Sequence, residues 1–276
     1  MSFISAIIHY DFLLNAVLTA LLASAVCAVI GSYTVIRRSS YMVGAVSHSL
    51  LGGIGLARYC QVMLGIACFT PFLGAVLTSL IVSTIITAAS AKSNYREDAL
   101  LSAIWTVGTA LGLCFIMMMK GYSDDLNAYL FGNILLISRQ DLFMMMLLDL
   151  AVLVFAWLFH NRFIALFFNS DILLLKGISI FRTNLLLNIL TGLTVVLLSQ
   201  AVGVVLAVAL MTLPSATALR LTKRLPVAML LAALLCLLEC TAGIFASYVF
   251  DWPASAIIIL AAAILHIAVV CLKKIF

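Results

Sequence analysis

The stretch YMVGAVSHSLLGGIGLA, residues 41–57, is apolar enough to form a membrane-spanning helix, yet it carries a histidine, His48, near its middle. At helical spacing Gly44, His48 and Gly52 share one face of such a helix. Ser47 directly precedes the histidine. Because glycine lets neighbouring helices approach closely in lipid, the stretch predicts a helix inside a bundle, with an imidazole directed toward its neighbours.

Two interpretations of His48 fit the helix alone. An ionisable side chain at membrane depth usually faces a cavity or a partner, which makes His48, together with Ser47, a candidate site residue. The alternative is a neutral histidine that is hydrogen-bonded to a neighbouring carbonyl and only fixes the packing of the bundle.

The composition of the whole chain indicates the class of protein. Of its 276 residues 66% are hydrophobic and 9% are charged, and the mean hydropathy is +1.28. A soluble domain does not bury so much apolar surface. At about 20 residues per span, we predict an all-α, polytopic membrane bundle of about eight to nine helices, organised as a single transmembrane domain over residues 1–276. The chain has no GxxxxGK[ST] phosphate-binding loop, so any ATP-binding site is expected on another chain.

The basic residues predict the orientation of the bundle. Lys and Arg accumulate at the cytoplasmic ends of membrane helices, and twelve of the fifteen in this chain fall on one side of the predicted spans. This asymmetry places the N-terminus outside and the C-terminus in the cytoplasm. The cytoplasmic residues are Arg37, Arg38, Lys92, Arg96, Arg162, Lys176, Arg182, Arg220, Lys223, Arg224, Lys273 and Lys274, and the outer ones are Arg58, Lys120 and Arg139.

Two segments between the spans are predicted to have structure of their own. Within the cytoplasmic connection 163–184, the Asn-Ser-Asp sequence 169–171 offers helix N-caps and Gly177 offers a C-cap, which predicts a short helix over 172–176. The apolar piece YLFGNILLIS, residues 129–138, is too short to span a membrane. We predict that it is a re-entrant or interfacial segment on the outer side.

Three further residues inside predicted spans are unusual. Asp149 and Glu239 are carboxylates at membrane depth, where each is costly unless it is paired, hydrated or protonated. A role in packing is favoured for Asp149, whereas packing and a role in a cation path are equally supported for Glu239. Pro214 lies in the apolar run 200–218 and predicts a kink or break of that helix.

Other residue types offer weaker candidates for chemistry. The histidines His9, His160 and His266 are not expected to touch a substrate, and the methionine runs are expected to fill irregular space in the bundle. The seven cysteines show no CxxC spacing, so neither a disulfide framework nor a thiolate metal site is expected.

Two long stretches and a pair of shorter ones resemble the permease subunits of zinc, manganese and iron ABC importers. RRSSYMVGAVSHSLLGGIGLA, residues 37–57, is similar to the family pattern RR-x-x-x-x-GDAxSHxxLPGxA. VGVVLAVALMTLPSATALRLT, residues 202–222, is similar to VGxLLxxALLxxPAAxAxLL. LLLKGIS at 173–179 and FDWPASAIII at 250–259 are similar to the family's A-x-x-x-G cytoplasmic loop and its D-x-P-S/T-G ending.

The resemblance implies a multi-pass permease of the bacterial cytoplasmic (inner) membrane that imports a divalent metal ion, manganese, zinc or iron. It implies no enzyme activity and no permanently bound cofactor, since ATP would be hydrolysed on a partner subunit. The other implied partners are an extracytoplasmic metal-binding protein and a second permease, in a homodimer or a heterodimer. The implied path residues are His48, Ser47 and Glu239, and the implied ATPase-coupling residues are Asp171, Lys176, Gly177 and Arg182.

One departure from the family pattern affects the implied path. The family has an aspartate one helical turn before the histidine, and this chain has Gly44 there. A lone imidazole attracts a divalent cation less than a histidine–carboxylate pair does. A sister permease carrying the aspartate would supply the missing charge.

Two readings from other classes compete with the importer. A stand-alone, proton-coupled transporter would use His48, Asp149 and Glu239 as a relay. A lipid-modifying membrane enzyme is the least favoured, because the sequence has no catalytic cluster.

Overall fold

The computed structural model describes residues 9–91, 97–119, 132, 134 and 137–275. Those residues form eleven helices and no strand, so the predicted all-α bundle is confirmed. The re-entrant segment predicted at 129–138 and the basic residues Lys92, Arg96 and Lys120 lie wholly or largely outside the described residues. The helices are α1 (Asp11–Ile36), α2 (Ser40–Met63), α3 (Pro71–Ser90), α4 (Glu97–Met117), α5 (Arg139–Leu158), α6 (His160–Phe168), α7 (Asp171–Leu175), α8 (Ile180–Val202), α9 (Val204–Leu221), α10 (Leu225–Phe250) and α11 (Ala254–Ile275).

The number of membrane-spanning helices agrees with the prediction of eight to nine. Among the described residues, eight helices are long and apolar enough to cross a membrane, namely α1, α3, α4, α5, α8, α9, α10 and α11. The histidine helix α2 has 24 residues and is therefore long enough to be the ninth. It is less apolar than the others because it contains glycine, serine, histidine and arginine. The protein is a multi-pass membrane protein.

The contacts within the chain define two compact units. The first unit comprises the described residues within 1–35, 130–153 and 197–276, where α9, α10 and α11 pack against one another. The second comprises those within 36–129 and 154–196, where α2 packs against α3 and most extensively against α4. The organisation of the chain as a single domain stays a prediction.

Glycine brings the backbones of α2 and α4 into contact. A Cβ atom placed on Gly52 would lie 3.0 Å from the carbonyl oxygen of Gly108, and one on Gly55 would lie 2.9 Å from that of Gly112. Such short separations show that a side chain at these positions would push the two helices apart. The small-residue face predicted for residues 41–57 is therefore the face that α4 covers.

A buried polar network ties α3 to α8 in the second unit. Asn188 donates to Thr87 Oγ1 over 2.8 Å, and Ser83 donates to the Asn188 carbonyl over 3.0 Å. Arg37 Nη1 donates to Asn188 Oδ1 over 2.6 Å. The first arginine of the Arg-Arg pair therefore has a structural partner in addition to its predicted topological role.

Two features of the cytoplasmic and outer connections differ from the predictions. The apolar sequence predicts a span over residues 65–91, with Pro71 near its outer end. The helix begins only at Pro71, because proline is well suited to a first helical position and Thr70 Oγ1 accepts a hydrogen bond from Leu73 N over 3.3 Å. The connection predicted over 163–184 contains a second helix, α6, whose first three residues are polar and whose last six, 163–168, are apolar. Its nine residues are too few for a periodic pattern to stand out in the sequence.

The interruption near the second family-like stretch falls at Gly203 and not at Pro214. α9 continues as a helix from Val204 through Pro214 to Leu221, because a proline removes only one hydrogen bond and the neighbouring turns hold the helix. Gly203 separates α8 from α9 with φ 88° and ψ 160°, a backbone region that is essentially restricted to glycine. A bend at Pro214 stays a prediction.

Gly203→Ala is expected to lower the free energy of unfolding by about 1–3 kcal/mol, because alanine is strained in this backbone region. The thermal melting temperature of the purified protein measures the effect. Pro214→Ala is the matched control, since it adds an N–H donor to a continuous helix and is expected to keep or raise the melting temperature. Equal melting temperatures for the Gly203→Ala variant and the unmodified protein would show that the break does not depend on glycine.

Candidate functional site

His48 lies on α2 and stacks against an aromatic side chain of α4. The imidazole and the Trp105 indole have ring centroids 4.3 Å apart and planes inclined by 16°. His48 is half-buried, so part of the ring stays accessible. The histidine therefore does lie against a neighbouring helix, as the small-residue face predicted, and its nearest aromatic partner is a tryptophan.

The same indole covers the position one helical turn before His48. A Cβ atom on Gly44 would lie 2.6 Å from Cζ3 of Trp105 and 3.2 Å from Cη2. Tyr41, a further turn away, also contacts the indole, with ring centroids 5.7 Å apart. Its hydroxyl lies 2.9 Å from Ser102 Oγ on α4. Trp105 thus spans Tyr41, Gly44 and His48 along the face of α2.

The hydrogen-bonding state of the imidazole bears on the two interpretations of His48. Nδ1 is buried and has no hydrogen-bond partner among the described residues. The packing interpretation expected a neighbouring carbonyl at such a nitrogen, and none of the described carbonyls occupies that place. Ser47 is fully buried, and its Oγ likewise lacks a partner in the described part of the chain. Because adjacent helical residues are about 100° apart, Ser47 faces a different direction from His48.

The two membrane-depth carboxylates both belong to the first unit. Asp149 on α5 is 2% exposed and Glu239 on α10 is 4% exposed. No oxygen of either carboxylate has a hydrogen-bond partner among the described residues. The hydrogen bond that a packing role for Asp149 requires is thus not seen in the described part, and a role for Glu239 in a cation path stays a prediction.

The remaining polar groups of the first unit include a histidine that is hydrogen-bonded to a neighbouring helix. His266 Nδ1 on α11 lies 2.8 Å from Thr217 Oγ1 on α9. This contact gives His266 a structural partner, and the expectation that it does not bind a substrate stays a prediction. Across the described ranges, no three side chains of His, Cys, Asp or Glu are grouped so that they could hold a metal ion.

The predicted short helix is present in the cytoplasmic segment as α7. Asn169 Oδ1 accepts a hydrogen bond from the Asp171 backbone N–H over 3.1 Å at its start. At its end, Gly177 has φ 67°, its N–H donates to Leu174 O over 2.9 Å, and the next N–H, of Ile178, donates to Leu173 O over 2.8 Å. These two bonds form a Schellman motif, which requires the left-handed conformation that glycine adopts readily.

The surface of α7 combines exposed apolar and charged side chains. Leu175 is 89% exposed and Leu174 is 59% exposed. Asp171 at the start of α7 and Lys176 directly after it are also exposed, as is Arg182 in the first turn of α8. A cleft of about 300 Å³ adjoins this surface. Its lining residues are Phe159, Arg162, Gly177, Ile178, Ser179, Arg182, Thr183 and Leu186.

Comparison with known proteins places this architecture in a family. Residues 9–273 match the model of the ABC 3 transport family. The chain belongs to the ABC 3 transport family. It is therefore a permease, a membrane component of a transporter, and not an enzyme, in agreement with the sequence-based expectation.

Individual relatives match over nearly their whole length. The manganese transport system membrane protein MntC of Halalkalibacterium halodurans is 36% identical over 263 residues, which are 95% of this chain and 88% of that protein. A Chlamydia pneumoniae protein named "Probable metal transport system membrane protein" is 35% identical over 262 residues, or 95% of this chain and 89% of that protein. The solved structure of PsaBC from Streptococcus pneumoniae in complex with Fab is similar with a TM-score of 0.84 and 30% identity, over 97% of this chain and 94% of that one.

The sequence did not point to Trp105 as part of the candidate site. Tryptophan is enriched at the membrane–water interfaces whatever the function of the protein, and Trp105 lies on a helix other than that of His48. A signal was nevertheless present, since Gly44 stands where the family pattern has an aspartate. An unexpected glycine on a helix face often marks the close approach of a neighbour.

Proposed function

We propose that the chain is the permease subunit of an ATP-driven importer that moves a divalent transition metal, in the first place manganese, into the bacterial cytoplasm. The observation that carries this proposal is membership of the ABC 3 transport family, with a relative named for manganese transport at 36% identity. Zinc and ferrous iron remain the other candidate cargoes, because all three ions accept an imidazole ligand.

The proposed path runs past His48. Manganese accepts nitrogen from a neutral imidazole, and His48 presents a half-buried ring with no hydrogen-bond partner at Nδ1 in the described part. A single imidazole binds weakly, which suits a permease, because the ion must also leave the path. Ser47 and Glu239 are the other proposed path residues, supported by polar atoms that lack partners among the described residues.

The proposed ATPase contact is the surface formed by Asp171, α7, Lys176, Gly177 and Arg182. An exposed leucine pair flanked by both signs of charge is typical of a surface that another protein covers. The proposed assembly further contains a second permease, like or unlike, and an extracytoplasmic metal-binding protein. It lies in the cytoplasmic membrane with the N-terminus outside, as the distribution of basic residues predicts.

The proton-coupled carrier is not favoured, because it would need neither a partner ATPase nor membership of an ABC permease family. Transport in reconstituted vesicles separates the two functions. The permease would be co-purified with its ATP-binding subunit, inserted into vesicles and tested with manganese, zinc and ferrous iron separately, with the binding protein supplied outside.

We expect manganese uptake that requires ATP on the cytoplasmic side and proceeds without a pH gradient. An ATPase subunit with an inactivated ATP site serves as the control and is expected to abolish uptake. Uptake that follows a pH gradient in the absence of ATP would contradict the proposed function and support the proton-coupled carrier.

A further inference from the structure

Trp105 occupies the space in which a side chain at position 44 would lie. A Cβ on Gly44 would lie 2.6 Å from Cζ3 of the indole, which is closer than non-bonded carbon atoms approach, so the indole would have to shift. The indole also contacts Tyr41 and His48 on the same face of α2, one turn to either side of Gly44. One turn further along α4, a Cβ on Gly108 would collide with Ser49, so α4 already lies as close to α2 as the backbones permit. An aspartate at 44 and a tryptophan at 105 therefore compete for one space.

We propose that Trp105 is a positioning and specificity-determining residue of the cation path, which fixes the plane of the His48 imidazole and excludes a carboxylate from position 44. This proposal rests on the proposed function, in which His48 meets the transported ion. Trp105 acts by holding the orientation of His48 and by filling the space beside position 44.

The stacking geometry leaves the histidine able to bind a metal. A metal ion binds an imidazole nitrogen in the plane of the ring, along the lone pair. The indole covers one face of the ring, with planes inclined by only 16°, so it restricts rotation of the imidazole and does not itself lie in the plane of the ring. A ligand that is held in one orientation loses less conformational freedom when it binds the ion.

The exclusion of a carboxylate from position 44 weakens the binding of a divalent cation at His48. With Gly44 the ion meets a neutral imidazole beside an aromatic face, and position 44 adds no negative charge. Such a site attracts a divalent cation less than a histidine–carboxylate pair does. Because of Trp105, this chain binds the ion weakly and releases it quickly. Another chain of the assembly must supply a carboxylate if the ion is to be bound tightly.

The first experiment is a double-mutant cycle between positions 44 and 105, measured on the permease–ATPase complex. Gly44→Asp alone is expected to lower the melting temperature, because the new side chain collides with the indole. Trp105→Ala in the Gly44→Asp background is expected to restore part of that loss and to lower the KM for manganese uptake about tenfold, with a smaller kcat from slower release.

Trp105→Phe alone is expected to keep the KM, whereas Trp105→Ala alone is expected to raise it several-fold. Additive effects of the two substitutions on melting temperature and KM would overturn the proposal.

The second experiment measures binding without transport. The other two tryptophans, Trp157 and Trp252, are 78% and 63% exposed and can be replaced by phenylalanine, so that Trp105 alone reports the fluorescence. Manganese is paramagnetic and is expected to quench this fluorescence, magnesium is not, and His48→Ala is expected to remove the quenching. No quenching at manganese concentrations that saturate uptake would overturn the proposal while leaving the importer function intact. Quenching without ATP-driven uptake would support the site and contradict the proposed function.

Discussion

Replacing His48 by alanine is expected to lower manganese uptake by about tenfold or more, the size of effect that the loss of a metal-site residue commonly has. The bundle is expected to stay folded. No described residue bonds to Nδ1, so the substitution leaves no polar partner unsatisfied there, and alanine suits a helix face of small residues. The measurement is ATP-driven uptake per amount of folded protein, with the melting temperature determined on the same sample.

His266→Ala is the matched control for that experiment. His266 is also a histidine within a membrane-spanning helix, but it bonds to Thr217 over 2.8 Å. Its removal leaves a buried hydroxyl with one partner fewer, so the melting temperature is expected to fall while the KM for manganese stays the same. If His48→Ala instead lowers the melting temperature like His266→Ala and leaves uptake per folded molecule unchanged, His48 is structural.

The membrane helices are predictable from the sequence because the hydropathy of each one is summed over its whole length. A run of about 20 apolar residues has few alternatives to a helix in lipid. The histidine helix α2 was predicted too, although its glycine and polar residues make it less apolar than the other spans. The ends of the helices depend on single residues. Pro71 begins α3 and does not lie within it, because its ring suits the first turn.

The sequence predicts the local backbone conformation where a single residue determines it. Gly177 was predicted as a C-cap from its place after a short apolar run, and it ends α7 in the left-handed region. Pro214 was the more conspicuous residue of the second family-like stretch, yet the interruption lies at Gly203. A proline inside a membrane helix loses one hydrogen bond, whereas the glycine adopts a backbone conformation that ends the helix entirely.

The contact of Trp105 with His48 could not be predicted from the sequence, because it depends on how α2 and α4 lie against each other. Their register is set by close glycine contacts such as Gly52 with Gly108. A pattern within α2 shows which face is small, but it does not show which residue of which helix fills the space. The absent aspartate at position 44 was visible in the sequence, and its physical reason became visible only with the indole in place.

The substitution of Gly177 by valine is expected to lower transport by a factor of roughly 5–30, the change in population that one or two kcal/mol produces. Gly177 has φ 67°, and a side chain in that region costs roughly 1–2 kcal/mol. Valine would shift the segment away from the Schellman motif that orients Leu174 and Leu175, where we propose that the ATPase docks. Uptake and the affinity for the purified ATP-binding subunit measure the effect, and membrane insertion is expected to stay normal.

A graded series at position 177 separates backbone conformation from bulk. A Cβ there would meet no atom within 4 Å in this structure, so the size of the side chain should not matter for the permease itself. Asparagine adopts the left-handed region more readily than alanine, and β-branched valine resists it most. Uptake and ATPase affinity are therefore expected to fall in the order Gly, Asn, Ala, Val. If asparagine impairs coupling more than the smaller alanine, bulk at the docking surface and not the turn of the backbone controls the contact, and the argument for the left-handed cap fails.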